Sequence, residues 1–442
     1  MRPIYLLLLA PALAMAVDPV PLSLKRAVDV AISPEGSARI QLADEALKQA
    51  QARALEQRAS LLPNVDAAFS DQSRTENLAA LGFNPAIFSA IPIPGFGFDT
   101  FVGPFTTVDA RVTGTQNVFD FSLIRKYQAS KVGVTAARSD ASATQEQVAA
   151  QVARAYLAAV KGDTDVDTAQ SNVTLSQALL QQSEHEKEAG TGTGIEITRA
   201  KVQLANDRQR LLVAQNARRS AHLQLLRAIN MRLDTDLQLT DKLQYVPVDA
   251  LTMDAAKAQA LKERPDLKAQ EDRETNARLS ASASKLERLP SLSAFGDYGD
   301  IGTSLTSAVP TRTVGIQVRV PLFDGGRRDA RRQESASQYR AETVRTSDLK
   351  QQIELDVRLS LDSLQTADQE VKVAQEGLEL ANNELTQARR RYDAGVAVSV
   401  EVTDAQTRLE RARDNTTEAL YNYNLARLDL AQAMGRVRAT LQ

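Results

Sequence analysis

The chain has 442 residues, 43% hydrophobic and 24% charged, and its 53 basic and 55 acidic side chains leave a formal net charge of −2. That balance excludes the strongly basic footprint of a nucleic-acid binder. With no cysteine there is no disulfide framework, no thiolate metal site and no thiol acceptor for a lipid anchor.

Taken in chain order, Arg2 precedes the apolar run Ile4 to Leu9, and Ala14-Met15-Ala16 supplies a small-x-small cleavage site. Residues 1–16 are therefore expected to be a signal peptide, with the mature chain starting at Val17. No later stretch approaches the roughly 20 apolar residues of a membrane-spanning helix, so a membrane crossing by this chain requires a β-barrel.

The remainder is expected to form two structural repeats, 17–244 and 245–442. Ala189-Gly190, Glu196, Thr198, Leu204, Ala214 and Leu225 recur in the same order and spacing as Ala394-Gly395, Glu401, Thr403, Leu409, Ala419 and Leu430. Phe119-Asp120 likewise recurs as Phe323-Asp324, and Leu62-Pro63 as Leu289-Pro290. A period this long points to tandem duplication rather than a solenoid. Each repeat is expected to run helix, paired strands, very long helix, break, returning helix.

All 11 Phe fall within Phe69–Phe121 or Phe295–Phe323, and in these two segments the pattern turns from helical to alternating. Strands are expected at about 64–71, 105–119, 291–299 and 311–323. In the last, Val314, Ile316, Val318, Val320 and Leu322 face one way, while Thr313, Gly315, Gln317 and Arg319 face the other. One face suits lipid and the other water. Four strands cannot close a barrel, since the smallest outer-membrane barrels have about eight, so several copies must contribute. The stretch from Gln72 to Pro104, with Ile91-Pro92-Ile93-Pro94-Gly95-Phe96-Gly97-Phe98, is expected to be an irregular loop. Phe69, Phe105, Phe119, Phe295 and Phe323 suit either interfacial girdles or core packing.

Helices are expected at about 123–189, 196–230, 327–394 and 400–435. The first and third contain almost no Gly and no Pro and would each run roughly 100 Å. Gly190 and Gly395 end them as left-handed caps. The final helix carries Val402, Ala405, Leu409, Ala412, Thr416, Ala419, Tyr423, Ala426, Leu430 and Ala433 in a strict 3-4 alternation, a coiled-coil seam of small residues.

Val320-Pro321-Leu322-Phe323-Asp324-Gly325-Gly326-Arg327 opening a very long helix, and Tyr392-Asp393-Ala394-Gly395 followed by Glu401-Val402-Thr403-Asp404-Ala405, resemble the junction and second hairpin of TolC-type outer-membrane efflux proteins, the outer membrane factors. The resemblance covers nearly the whole mature chain. It implies a homotrimer whose chains each give four strands to a 12-stranded transmembrane β-barrel, continued by a long periplasmic α-helical barrel. It further implies a passive exit duct of an efflux pump or type I secretion system, set in outer-membrane lipid and opened by a periplasmic adaptor and an inner-membrane transporter.

By the same resemblance, Glu401 and Asp404 line the closed periplasmic tip, and threefold symmetry would turn them into carboxylate rings favouring cations. At i, i+3 both project from one helical face, though a solvated acidic face has the same spacing. Tyr392 matches a tyrosine that bonds an acidic residue of the other hairpin, here Glu196. Gly190, Gly395, Thr198 and Thr403 mark the tips an adaptor would touch. An arginine near this tip in the family's type member is replaced by Ala397.

His185 and His222 stand alone on polar helical stretches, which does not suggest a metal site. Arg327, Arg328, Arg331 and Arg332 form a basic cluster, either a solvated face or a contact for anionic head groups. No phosphate loop, nucleophile elbow or zinc-protease motif occurs, so the expectation is no enzyme and no cofactor. The competing class is a pore-less periplasmic scaffold or structural coiled-coil protein.

Overall fold

The computed structural model describes residues 20–82, 100–190, 192–248 and 251–440. The expected signal peptide, Val17 and the Ile91–Phe98 stretch lie outside the described residues. The chain divides into two compact units: Met1–Ala46, Ser139–Lys268 and Ser347–Gln442 form one, and Leu47–Arg138 with Ala269–Thr346 the other.

The elements in order are β1 (Val20–Leu22), α1 (Leu24–Ile32), α2 (Ala38–Ala59), β2 (Asn64–Asn77), β3 (Phe101–Phe119), α3 (Phe121–Glu188), α4 (Gly194–Ala228), β4 (Leu237–Leu239), α5 (Met253–Glu263), α6 (Pro265–Leu286), β5 (Ser291–Gly302), β6 (Val309–Arg319), α7 (Arg327–Asp393), α8 (Ser399–Ala433) and α9 (Val437–Thr440). The first two long strands extend further than the alternation suggests, so β2 and β3 take up residues 72–77 and 101–104 of the expected loop. β6 stops at Arg319, because Pro321 has no N–H to give to a ladder. No helix among the described residues is long and apolar enough to cross a membrane.

The second unit is built on one antiparallel sheet, order β2-β3-β5-β6. The register sorts side chains by chemistry. Ala67 pairs with Val112, Val112 with Tyr298, Ala294 with Ile316 and Leu292 with Val318, giving one apolar face. The opposite face carries Asp109, Arg111, Asp297 and Thr311, where the Arg111 Nη1 lies 2.5 Å from Asp297 Oδ1. Phe69 and Phe119 sit on the apolar face. Phe105 and Phe295, two of the aromatics offered for a girdle, do not. Phe105 lies under the Arg74 guanidinium, 5.3 Å from its ring centre. The Phe295 ring lies over Gly315, where an added Cβ would come within 2.6 Å of it.

Both long helices start just after a strand and are capped by the same residue type. Asp120 Oδ1 accepts from Leu123 N at 3.0 Å, and Asp324 Oδ2 from Arg328 N at 3.2 Å. The Asp of the repeated Phe-Asp pair is thus a helix cap in both halves, while its Phe ends a strand only at Phe119.

In the first unit, β1 pairs with β4 in parallel and, with α1, covers a core of Val152, Tyr156, Leu225 and Ile229. Tyr156 is buried, with its hydroxyl 2.9 Å from both Leu22 O and Asp241 Oδ2. Along α8 the seam residues Val402, Ala405, Leu409, Ala419, Tyr423, Ala426, Leu430 and Ala433 are buried. Small side chains let the helices approach closely, and Gly162 of α3 shows how closely, since an added Cβ would meet Arg218 Cα of α4 at 3.1 Å.

Candidate functional site

The candidate site lies where the two helical hairpins turn. α3 ends at Glu188 and Gly190 takes φ +77°; α7 ends at Asp393 and Gly395 takes φ +73°. Space is open around both glycines, so the left-handed backbone alone calls for glycine there. Val396 N donates to Arg391 O at 3.0 Å and Gly395 N to Tyr392 O at 2.9 Å, so the last carbonyls of α7 are satisfied as the chain reverses.

The tips are joined by packing. Leu179 of α3 sits in a cluster with Ala381, Leu385 and Ala388 of α7 and Val402, Ala405 and Leu409 of α8, with Tyr392 at its edge. The Tyr392 hydroxyl donates to Glu186, near the end of α3. This corrects the assignment of its partner to Glu196. Glu196 Oε2 accepts from Thr193 N at 2.8 Å and Thr193 Oγ1 at 3.0 Å, capping the start of α4. The signal was present in the sequence: Thr193-Gly194-Ile195-Glu196 has capping-box spacing.

Asp404 is exposed, whereas Glu401 Oε1 lies 3.1 Å from Arg391 Nε. Arg391, beside Tyr392, supplies a cation to the tip whose expected position holds Ala397. Thr198 Oγ1 donates to Gly194 O at 3.1 Å, and Thr403 O accepts from Thr407 Oγ1 at 3.1 Å, so both threonines flank the turns within their own helices.

Sequence reasoning missed a polar layer further along the hairpins. Asp207 is 0% exposed, accepts from Ser176 of α3 and has Gln203 Nε2 at 3.2 Å. Arg210 Nη1 reaches from α4 to Glu410 Oε2 of α8 at 2.8 Å and lies 3.8 Å from Asp207 Oδ1. Burial, with the nearby Asp207 charge, pushes the Glu410 carboxyl above its ordinary value against the pull of Arg210. The neighbouring Gln406 Oε1 is buried without a hydrogen-bond partner. His222, which looked isolated, has Nε2 3.0 Å from Asp163 Oδ1, and Arg218 Nε lies 2.6 Å from the same oxygen. Among the described residues no cluster of His, Cys, Asp or Glu has the form of a metal site.

The sheet thus carries an apolar face on one side and a charged face on the other, and the long hairpins close in glycine turns. The outer membrane efflux protein family model matches residues 35–231 and 257–436, and the chain belongs to that family, which consists of channel proteins. It is 24% identical over 398 residues to the pyoverdine export outer membrane protein OpmQ of Pseudomonas putida, covering 88% of this chain and 81% of that one. With the outer membrane protein TolC of Vibrio cholerae it shares 23% identity, over 68% of this chain and 70% of the relative. Its fold matches the outer membrane channel CmeC of Campylobacter jejuni with a TM-score of 0.79 at 17% identity, covering 93% and 85% of the two chains. VceC of Vibrio cholerae matches at 0.78 and 17% identity, covering 93% and 96%.

Proposed function

We propose that three copies of this chain form a passive outer-membrane exit duct for an efflux pump or type I secretion system, engaged at its hairpin tips by a periplasmic adaptor and an inner-membrane transporter. The observation that carries this reading is the sheet. Val314 and Ile316 on its apolar face are 85% and 76% exposed, a state that water penalises and lipid does not. Its outer strands β2 and β6 are edges, and four strands are too few to close on themselves. Strand directions alternate from β2 to β6, so β6 of one copy can pair antiparallel with β2 of the next, giving 12 strands from three chains. The two repeats then contribute equivalent halves to a helical barrel on the periplasmic side.

In this reading Glu401 and Asp404 form carboxylate rings at the periplasmic mouth. Arg391 tempers the charge of Glu401, and Tyr392 bonded to Glu186 helps hold the tips together. Energy and substrate selection belong to the partners, because a wide duct offers no selective pocket. Fractionation tests the reading against a pore-less scaffold. A detergent-requiring, heat-modifiable trimer in outer membranes supports the duct, and a soluble periplasmic monomer refutes it. For the tip, Glu401→Gln with Asp404→Asn should lower cation preference in planar bilayers while assembly persists. Unchanged selectivity would mean that these carboxylates are solvated surface.

A further inference from the structure

At the helix end of the sheet, the apolar stripe of β6 continues through Val320 to Leu322 and Phe323, which are 91% and 89% exposed. At the same end of the sheet, two strands away, Phe119 and Phe121 pack edge to face with ring centres 4.4 Å apart. Within four residues of Phe323 the surface turns basic, with Arg327, Arg328, Arg331 and Arg332 opening α7. Of the acids nearby, Glu334 is exposed, and three others are already committed. Glu287 takes Lys126 at 2.9 Å and Arg331 at 2.8 Å, Asp329 takes Arg288, and Asp324 lies 3.5 Å from Arg328 while capping α7. Cations remain in excess. Arg327 is mostly exposed and only 3.9 Å from the shared Asp324, and Arg332, Lys285 and Arg58 are exposed with no ion pair among the described residues.

We propose that this belt, where exposed aromatic and aliphatic side chains meet guanidinium and ammonium groups in excess of the carboxylates around them, binds the phosphate head groups of anionic glycerophospholipid in the inner leaflet of the outer membrane. The inference rests on the barrel reading above, which sets Leu322 and Phe323 at the edge of the acyl chains and the arginines one helical turn beyond, at head-group depth. Arginine suits this position, because its planar donors take a phosphate in bidentate fashion and its stem lies along apolar surface. Charge complementarity selects the occupant. A zwitterionic head group brings its own cation into the belt, whereas phosphatidylglycerol brings an uncompensated negative charge.

The test uses the full protein extracted from outer membranes, exchanged into nanodiscs of equal phosphatidylglycerol and phosphatidylethanolamine, with annular lipid released and quantified at low and high salt. The native protein should hold phosphatidylglycerol severalfold over its share in the disc, and added salt should erase that enrichment. Arg327→Gln with Arg332→Gln should reduce the enrichment at least twofold while the protein still assembles and conducts. Equal retention of the two lipids by the native protein, or an enrichment unchanged in the double variant, would overturn the proposal and leave the duct reading standing. Recovery of the native protein as a soluble monomer would instead remove the duct reading on which the belt's depth depends.

Discussion

Arg210 Nη1 lies 2.8 Å from Glu410 Oε2, linking α4 of the first hairpin to α8 of the second. The guanidinium is more than half exposed but the carboxylate is buried, so the pair differs from an ordinary surface bridge, whose worth is about 0–1 kcal/mol. Removing the cation leaves Glu410 and Asp207 buried together without it. Arg210→Ala should therefore cost roughly 3 kcal/mol, read as a lowered melting temperature of the helical unit. A change within about 0.5 kcal/mol would mean that the layer is hydrated and contributes little.

The same layer makes a signed prediction about pH. Because burial raises the Glu410 carboxyl above its unfolded value, the folded chain binds that proton more tightly. Its contribution to stability is fully present below the unfolded carboxylate range and is lost as pH rises through the raised value. Glu410→Gln does not titrate, so the variant should gain stability relative to the native protein as pH rises above the ordinary carboxylate value. Melting curves in matched buffers give the comparison, and a difference that stays constant with pH would contradict it.

Asp163 should behave in the opposite sense. Burial alone would raise its carboxyl, but hydrogen bonds and charge from His222 and Arg218 outweigh that and hold it below its ordinary value. Its stabilisation is present above the unfolded value and lost as pH falls through the folded one. Asp163→Asn should cost about 1–2 kcal/mol near neutrality, with the gap from the native protein closing below about pH 4.

Tyr156 fastens β1 and the segment around Asp241 to α3. Burial pushes its hydroxyl up to about 12, so it remains a neutral donor throughout the physiological range. Tyr156→Phe should cost about 1–2 kcal/mol without altering assembly, as measured by melting and by sizing in detergent. If the variant melts like the native protein, the contacts of this hydroxyl with Leu22 and Asp241 are not stabilising ones.

Leu409 is buried in the tip cluster against Leu179 and Leu385. Leu409→Glu places an unpaired charge in that cluster and should destabilise it by a few kcal/mol. An unchanged assembly and melting temperature would show that the seam of α8 is misassigned.

Much of this was legible in the sequence, for physical reasons that differ from element to element. The helix stops at Gly190 and Gly395 could be read because the left-handed turn restricts the residue choice to very few. The α8 seam could be read because period and side-chain size repeat without interruption. Strand lengths were harder: β2 carries polar residues on both faces beyond Phe69, so no alternation marks how far it runs. Glu196 was assigned to the gate by position in a motif, while the backbone of α4 already had a local claim on it through Thr193. Nothing in the sequence marks Asp207, and only the fold shows Ser176 of α3 and Arg210 of the next turn of α4 surrounding it. Pairings of that kind depend on three-dimensional register, which no spacing along one helix reveals.

The most direct test asks whether the two open edges of the sheet meet between copies. The chain has no cysteine, so single pairs can be introduced cleanly. Ser70→Cys on β2 would be combined in turn with Thr313→Cys and Gln317→Cys on β6, both on the polar face, and oxidised in intact outer membranes. The account predicts that at least one register yields covalent dimers and trimers and nothing larger. Monomer alone in every register, with the protein present in the membrane, would contradict a barrel completed by three chains.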